Sequence, residues 1–179
     1  MIKYKCVVAD PPWDYENKVT GGNLQSAACF KYSTMSLEEI KKLPIIHEQT
    51  DENCVLFLWA TVPLLPEAFE VMGAWGFKYK TKITWRKMFN GMGWWFRGQI
   101  EDCLIGTRGK IKAFHSQQPN FIQSTIKGLK HSEKPNEFFQ LIEPIIEQYN
   151  LNPKIELFSR KQRPGWDVFG NEVEGSITL

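Results

Sequence analysis

Short apolar runs alternate with amphipathic stretches along this chain. Runs of four to six mostly apolar residues are typical of strands buried on both faces, as in a parallel sheet. The pattern predicts six such strands: Lys5–Ala9, Val55–Ala60, Thr81–Arg86, Asp102–Thr107, Lys154–Phe158 and Trp166–Phe169.

Helical spacing occurs between these runs. Ser36–Lys42 opens with Ser-Leu-Glu-Glu, the spacing of a capping box. Pro66–Trp75 ends before a glycine, and Pro135–Gln148 repeats apolar residues three and four positions apart. Pro144 lies late in that last pattern and should kink or interrupt the helix. Strands that alternate with helices predict an α/β domain, with helices layered on a mostly parallel sheet.

Two segments fit neither pattern. Asp14–Thr34 is polar and contains two adjacent glycines, and Lys87–Glu101 is rich in glycine and aromatic residues. Long loops inside a compact domain are usually functional or disordered. We otherwise expect a single domain over residues 1–179, without a separate target-recognition domain, because no linker, repeat or low-complexity tract interrupts the chain.

Composition alone does not indicate a nucleic-acid-binding protein. The net charge is only +2, and hydrophobic and charged residues make up 42% and 23% of the chain, which is ordinary for a globular protein. Basic residues nevertheless cluster beside the unassigned or aromatic segments, a layout that can grip phosphates and stack bases but also occurs on solvated faces. These clusters contain Lys78, Lys80, Lys82, Arg86 and Lys87; Arg97, Arg108, Lys110 and Lys112; and Lys127, Lys130 and His131.

The four cysteines, at positions 6, 29, 54 and 103, form no Cys-x-x-Cys pair. This spacing argues against a zinc site, so we expect no bound metal and interpret the cysteines as buried, reduced thiols. The N-terminus reaches prolines before an apolar stretch long enough for a signal peptide, and the longest apolar run is too short to span a membrane. We therefore expect a cytoplasmic protein without membrane contact.

The first predicted strand is followed directly by Asp10-Pro11-Pro12-Trp13. In open α/β sheets, ligands bind beyond the carboxyl ends of the strands. The prolines hold the backbone extended and remove N–H donors, so the carboxylate and the peptide carbonyls form a rigid set of acceptors. With the flat face of Trp13, such a set suits a planar group that carries an exocyclic NH₂. The alternative is a proline-rich turn with a solvated aspartate.

At these residues the chain resembles the MT-A70 family of adenine-N6 methyltransferases, which includes the catalytic subunit of the eukaryotic messenger-RNA enzyme and its bacterial and phage relatives. The resemblance extends in order along nearly the whole chain. Its other motifs are Tyr32-Ser33-Thr34-Met35, Leu56-Phe57-Leu58-Trp59, Glu101 to Gly106, Ser132-Glu133-Lys134-Pro135, Glu156 to Arg160, Gly165-Trp166 and Phe169 to Glu172.

The resemblance implies a Rossmann-like methyltransferase fold with helices on both faces of the sheet and a permuted order, catalytic motif early and cofactor motif late. It implies S-adenosylmethionine as the cofactor and nucleic acid as the substrate, with DNA favoured over RNA. Asp10, Pro11, Pro12 and Trp13 would be the catalytic motif. The cofactor-binding positions would be Asp10, Lys134, Arg160, Asn171 and Glu172.

Three further residues are expected to border the target base: Tyr32, Trp85 and Ser132. Trp85 could equally be a core tryptophan, and Glu101 could orient groups near the site. The loop Lys161–Gly165 departs from the eukaryotic pattern, since it is shorter and lacks a His-Asn pair that contacts the cofactor there; Gln162 or Arg163 could substitute. A homodimer or a partner methyltransferase subunit is compatible with the resemblance.

Three alternatives remain at this point. A catalytically silent member would bind RNA or DNA in support of an active partner, but the intact Asp-Pro-Pro-Trp motif argues against it. An ordinary nucleotide-binding enzyme is disfavoured because the chain has neither Gly-x-Gly-x-x-Gly nor a phosphate-binding loop motif. Methylation of a different amine, such as cytosine N4 or a protein side chain, is disfavoured by the full series of motifs.

Overall fold

The computed structural model describes residues 2–14, 34–88, 95–125 and 133–170. Its centre is a seven-stranded sheet with the order β5-β3-β4-β2-β1-β6-β7. The strands are β1 Tyr4–Ala9, β2 Thr50–Thr61, β3 Lys78–Lys87, β4 Ile100–Arg108, β5 Phe121–Ser124, β6 Lys154–Leu157 and β7 Asp167–Phe169. The helices are α1 Leu37–Lys41, α2 Pro44–Glu48, α3 Leu65–Ala74 and α4 Asn136–Gln148, with a 3₁₀ helix over Val62–Leu64.

The predicted α/β class with a mostly parallel sheet is confirmed. Four pairings are parallel, β1 with β2, β1 with β6, β3 with β5 and β6 with β7. Strand β4 runs antiparallel to both β2 and β3, so the sheet is mixed. All six predicted strands are present, whereas β5 and α2 were not predicted.

Helices cover both faces of the sheet. Residues of α1, α2 and α3 join alternate residues of β2 in one apolar cluster, and residues of α4 join the intervening residues of β2 in another. Leu56 and Leu58 thus face the first cluster, while Phe57 and Trp59 face the second. This explains why β2 is a continuous apolar run: both of its faces are buried.

Strand β1 lies at the topological switch point. It pairs in parallel with β2 on one side and with β6 on the other. The helices before β2 pack on one face of the sheet, and α4, which precedes β6, packs on the opposite face. Open α/β sheets bind their ligands in a crevice beyond the carboxyl ends of the strands at such a switch point, so we expect the ligand crevice of this protein beyond the end of β1. The residue that follows β1 is Asp10.

Pro144 lies inside α4 without ending it, so of the kink or interruption predicted there, the interruption is wrong. The helix continues from Asn136 to Gln148 with Pro144 inside it. Pro144 and Gln140 are both exposed, so the carbonyl that loses its helical partner can be hydrated. The buried face, formed by Phe138, Phe139, Ile142 and Ile146, keeps the helix on the sheet.

The cysteine prediction is confirmed where the structure describes it. Cys6, Cys54 and Cys103 are free and buried, and burial raises the pKa of Cys54 to about 12. Cys29 lies outside the described residues. Within the described ranges, no helix has both the length and the apolar character needed to cross a membrane.

Candidate active site

The backbone after β1 forms a tight turn that is held by backbone hydrogen bonds. The carbonyl of Pro11 accepts from the Trp13 N–H at 2.8 Å, and the carbonyl of Pro12 accepts from the Met35 N–H at 2.9 Å. Asp10 N–H points to the carbonyl of Leu157 on β6, at 3.4 Å. These bonds hold both proline carbonyls in fixed directions, and each carbonyl keeps a second lone pair.

Trp13 is a core residue in this conformation. Only 7% of it is exposed, and its indole N–H donates to the carbonyl of Trp59 at 3.1 Å. Its ring belongs to the apolar cluster that contains α1 and α3. Trp13 therefore anchors the Asp-Pro-Pro turn to the end of β2, and little of its ring is open to a stacked base.

Asp10 is joined to Lys134 by a short ion pair. The Lys134 Nζ lies 2.5 Å from Asp10 Oδ2, although 124 residues separate them in the chain. Lys134 precedes Pro135, the N-cap of α4, which has no side chain that could cap the first turn. The side chains of Asp10 and Lys134 are 25% and 10% exposed, so the pair is partly buried. A carboxylate and an ammonium group therefore lie together at the end of β1, next to a helix N-terminus.

Glu101 is a second acidic partner of Lys134. Its Oε2 lies 3.5 Å from Lys134 Nζ, and its other oxygen pairs with Lys87. The two lysines lie over tryptophan rings, Lys134 at 5.4 Å from the centre of Trp59 and Lys87 at 5.0 Å from that of Trp85. The ion pairs thus form a chain from Asp10 through Lys134 and Glu101 to Lys87, supported by buried aromatic rings.

Burial and neighbouring charges set the protonation of these ion-paired side chains. Burial raises the pKa of Asp10, Lys134 opposes that shift, and the negative charge of Glu101 adds to it. For Glu101, the attraction of Lys134 and Lys87 outweighs burial and lowers the pKa. The two carboxylates likewise outweigh the effect of burial on Lys134 and raise its pKa, so Lys134 stays charged. Of the two carboxylates, Asp10 is therefore the more easily protonated.

Further charged side chains surround Asp10 on the β6 side. Arg160 acts electrostatically on Asp10, favouring its charged form. Glu156 of β6 faces Arg163, with 3.9 Å between Oε2 and Nε, and neither of those two buried atoms has a hydrogen-bond partner in the described structure. Burial, only partly offset by Arg163, raises the pKa of Glu156 to about 7. Glu156 therefore retains acceptor capacity beside the crevice.

The sequence that builds this site matches a known protein family. The MT-A70 family model matches residues 4–172. The chain belongs to the MT-A70 family. MT-A70 is a family of S-adenosylmethionine-dependent adenine-N6 methyltransferases.

Proteins similar in sequence to this chain occur in bacteria and in eukaryotes. The chain is 33% identical over 191 residues to the type II methyltransferase M.MunI of a Mycoplasma species, an alignment that covers 96% of this chain and 78% of M.MunI. It is 29% identical to the human N(6)-adenosine-methyltransferase catalytic subunit METTL3, over 97% of this chain but 29% of METTL3. The chain thus spans most of the bacterial relative and less than a third of the human one.

The structure places Trp85, predicted to border the base, in the core. It is 2% exposed, its indole N–H donates to Ser124 Oγ at 2.9 Å, and its ring meets Trp59 edge to face. The alternative interpretation, a core tryptophan, describes its surroundings. Trp85 supports Lys87 and Trp59 beneath the crevice, and its buried ring is not available to a base in this conformation.

Several predicted site residues lie outside the described part of the chain. These residues are Tyr32, Ser132, Asn171 and Glu172. Of the predicted residues that are described, Asp10, Lys134 and Arg160 are brought together, with Pro11, Pro12 and Trp13 in the turn beside them.

The shortened loop after β6 is attached to α4. Lys161 pairs with Glu133, immediately before Lys134, and the guanidinium of Arg163 lies 3.4 Å from the centre of the Phe139 ring. Arg163 thus packs inside the protein between Phe139 and Glu156. Sequence reasoning gave Glu156 no role in the site and did not identify Arg163 as its partner. The signals for Glu156 were that it begins one motif of the family resemblance and that it interrupts the apolar pattern of a strand.

Glu156 gives the fold a pH dependence that can be measured. A carboxyl whose folded-state pKa is about 7 instead of 4.5 binds protons more tightly when folded, so its contribution to stability is lost as pH rises from about 4.5 to 7. The free energy of unfolding of Glu156→Gln, relative to that of wild type, should therefore be higher at pH 8 than at pH 5, by about 3 kcal/mol at most. The melting temperatures of the two proteins at both pH values measure this difference.

The control for this prediction is Glu48→Gln, which changes an exposed glutamate at the end of α2. Its melting temperature should follow that of wild type at both pH values. If the melting temperature of Glu156→Gln differed from that of wild type by the same amount at pH 5 and at pH 8, the raised pKa of Glu156 would be contradicted.

Gly170 is required where the chain leaves β7. A Cβ at this position would lie 2.2 Å from the carbonyl oxygen and 2.9 Å from the nitrogen of Ser159. Gly170→Ala must therefore displace the backbone just before Asn171 and Glu172. We expect a cost of about 1–3 kcal/mol, seen as a melting temperature lowered by several degrees.

Gly73→Ala is the matched control, because nothing lies within 4 Å of a Cβ at that helical position. It should raise the melting temperature, as alanine is favoured over glycine in a helix by roughly 0.5–1 kcal/mol. If calorimetry gave both alanine variants the same change, the close approach at Gly170 would not be important for stability.

Proposed function

We propose that this MT-A70 chain transfers a methyl group from S-adenosylmethionine to the N6 amine of adenine in DNA. The observation that carries the proposal is the pair formed by Asp10 and Lys134, with 2.5 Å between Oδ2 and Nζ, at the crevice beyond β1. The similarity to M.MunI, a type II methyltransferase, favours DNA over RNA.

Asp10 and the Pro11 carbonyl would bind the target amine. The lone pair of an adenine amine is delocalised into the ring, so the nitrogen is a weak nucleophile. Two fixed acceptors, the carboxylate and the carbonyl, would hold the two amine hydrogens and favour a pyramidal nitrogen with its lone pair directed at the methyl donor. This is catalysis by orientation and electrostatics. It requires a charged Asp10, and Lys134 favours that form.

The charges in the crevice fit the amino-acid end of S-adenosylmethionine, which carries an ammonium and a carboxylate. Asp10 would face the ammonium, and Lys134, next to the N-terminus of α4, would face the carboxylate. The buried Oε2 of Glu156 lacks a hydrogen-bond partner in the described structure and offers an acceptor nearby. The cofactor supplies an electrophilic methyl group on a sulfonium.

The remaining assignments rest on the family resemblance. Arg160, Asn171 and Glu172 would bind the ribose and adenine of the cofactor, and Tyr32 and Ser132 would border the target base. Trp13 would hold the Asp-Pro-Pro turn in place, as its bond to the Trp59 carbonyl suggests.

We also propose the wider organisation that the resemblance implies. The fold is the permuted methyltransferase type, with the catalytic motif before the cofactor motif, in a single domain over residues 1–179. A DNA substrate and a bacterial relative support action in the bacterial cytoplasm. Association with a second copy or a partner methyltransferase subunit would supply part of the target recognition.

The substrate class can be tested with a tritiated methyl donor. The protein is incubated with labelled S-adenosylmethionine and with DNA or RNA, each single- and double-stranded, and label retained in the polymer is counted. We expect label in DNA and little in RNA. Label in RNA alone would exclude DNA as the substrate, and label in neither would support a silent partner subunit instead of an enzyme.

A further inference from the structure

Two aromatic side chains stand in solvent on the hairpin between β3 and β4. Trp95 is 93% exposed and Phe96 is 89% exposed, the largest values among the large apolar residues that the structure describes. Burying a side chain of this size is worth roughly 1.5–3 kcal/mol, so adjacent exposed aromatics indicate an interaction surface.

The sheet fixes where this hairpin emerges. Lys87 N–H donates to the Gln99 carbonyl at 2.7 Å, and Trp85 stands opposite Glu101 in the ladder. Glu101 contacts Lys134, which pairs with Asp10. The end of β3 therefore lies at the same sheet edge as the end of β1, and Arg97 is four residues from Glu101, within about 13 Å even when the chain is extended.

The charge of this segment indicates its partner. Between residues 86 and 100 the sequence contains Arg86, Lys87 and Arg97 and no acidic residue. Arg86 and Arg97 are exposed, and Arg97 follows the two aromatics directly in the chain. Cations that flank exposed aromatic rings match a polyanion with flat bases: the cations contact phosphates and the rings stack on bases.

We propose that Trp95 and Phe96 form a stacking platform for the bases that flank the target adenine in a DNA strand, with Arg97 on an adjacent phosphate. The proposal rests on the proposed function, because a platform for neighbouring bases is needed only if the adenine that reaches Asp10 is part of a polynucleotide. It assigns strand binding to residues separate from the Asp10 and Lys134 pair.

The experiment compares the Trp95→Ala/Phe96→Ala variant with wild type. Affinity for a fluorescein-labelled single-stranded oligo(dA) 20-mer is measured by anisotropy, and affinity for S-adenosylmethionine by calorimetry. Loss of one stacked base weakens binding by roughly 5- to 150-fold, so we expect the dissociation constant for DNA to rise at least tenfold and that for the cofactor to be unchanged. Trp95→Phe with Phe96→Tyr should restore DNA binding.

A matched control removes another exposed aromatic pair, Phe69 and Tyr79, whose rings meet edge to face with 5.1 Å between centres. Tyr79 lies at the opposite end of β3, so Phe69→Ala/Tyr79→Ala should leave DNA affinity unchanged. Unchanged DNA affinity in the Trp95 and Phe96 variant would overturn the platform. A sedimentation shift from dimer to monomer, with unchanged DNA affinity, would identify the patch as a self-association surface and equally overturn it.

Failure of this proposal is distinguishable from failure of the proposed function. If the wild-type protein transfers no methyl group to adenine, the proposed function fails, whatever the anisotropy shows. If it methylates adenine and the double variant binds and methylates DNA as well as wild type does, the platform alone fails.

Discussion

Asp10→Asn is expected to reduce methyl transfer by roughly 10²- to 10³-fold or more while leaving the protein folded. Asparagine keeps the shape of aspartate but replaces the charged acceptor by a neutral amide, which also presents N–H donors. Removal of one well-placed electrostatic group from an active site typically has an effect of this size. The loss should appear in kcat, because the interaction with the amine strengthens as the nitrogen becomes pyramidal.

The structure also predicts the effect of Asp10→Asn on stability. Lys134 loses its nearest partner but keeps Glu101, 3.5 Å from its Nζ, so a buried cation is not left alone. The melting temperature should therefore fall only moderately. Asp51→Asn, at the start of β2 and far from the crevice, is the matched control and should retain full activity. An Asp10→Asn variant with near-normal kcat would show that Asp10 does not hold the amine.

Lys134→Met is expected to weaken S-adenosylmethionine binding by about 30-fold or more, since truncating one partner of a buried charge pair typically costs at least 2 kcal/mol. The methionine keeps the apolar stem over Trp59 and removes only the ammonium. Asp10 and Glu101 then face each other without their shared cation. Their pKa values should rise, and the variant should lose stability as pH increases, by about 3–5 kcal/mol once both are charged.

Two comparisons isolate the role of this ammonium. Lys41→Met removes a lysine that pairs with Glu38 and Glu70 on the surface, and it should change neither cofactor affinity nor, by more than about 1 kcal/mol, stability. Adding Glu101→Gln to Lys134→Met should recover part of the stability by removing the like charge, but not the affinity. Calorimetry that gave Lys134→Met the wild-type cofactor affinity would contradict the assignment.

The sequence supports prediction of the strands best where both faces are buried. The runs Cys6–Ala9 in β1 and Cys54–Ala60 in β2 are continuously apolar because both faces of the sheet are covered there, and β1 pairs in parallel with both of its neighbours. β5 was missed because Phe121–Ser124 is short and only two of its four residues are buried. α2 was missed because five residues carry too little periodicity and begin at a proline.

The site was predictable in part, and the reason differs from residue to residue. Asp10 follows from physical reasoning alone, as an acid at the end of an apolar strand before two prolines. Lys134 does not, because its partner is 124 residues away and only the family resemblance pointed to it. The tryptophans were harder still: exposure depends on tertiary packing, and the sequence cannot distinguish the buried rings of Trp13 and Trp85 from the exposed ring of Trp95.

The proposed reaction is methylation of the N6 amine of adenine at the site that contains Asp10, beyond the end of β1. Its most direct test is to incubate the protein with DNA and S-adenosylmethionine, digest the DNA to nucleosides and identify the methylated nucleoside by mass spectrometry. We predict N6-methyl-2′-deoxyadenosine with the wild-type protein, and a signal reduced at least a hundredfold with Asp10→Asn. Methyl-cytosine in place of methyl-adenine, or equal N6-methyladenine from both proteins, would contradict the account.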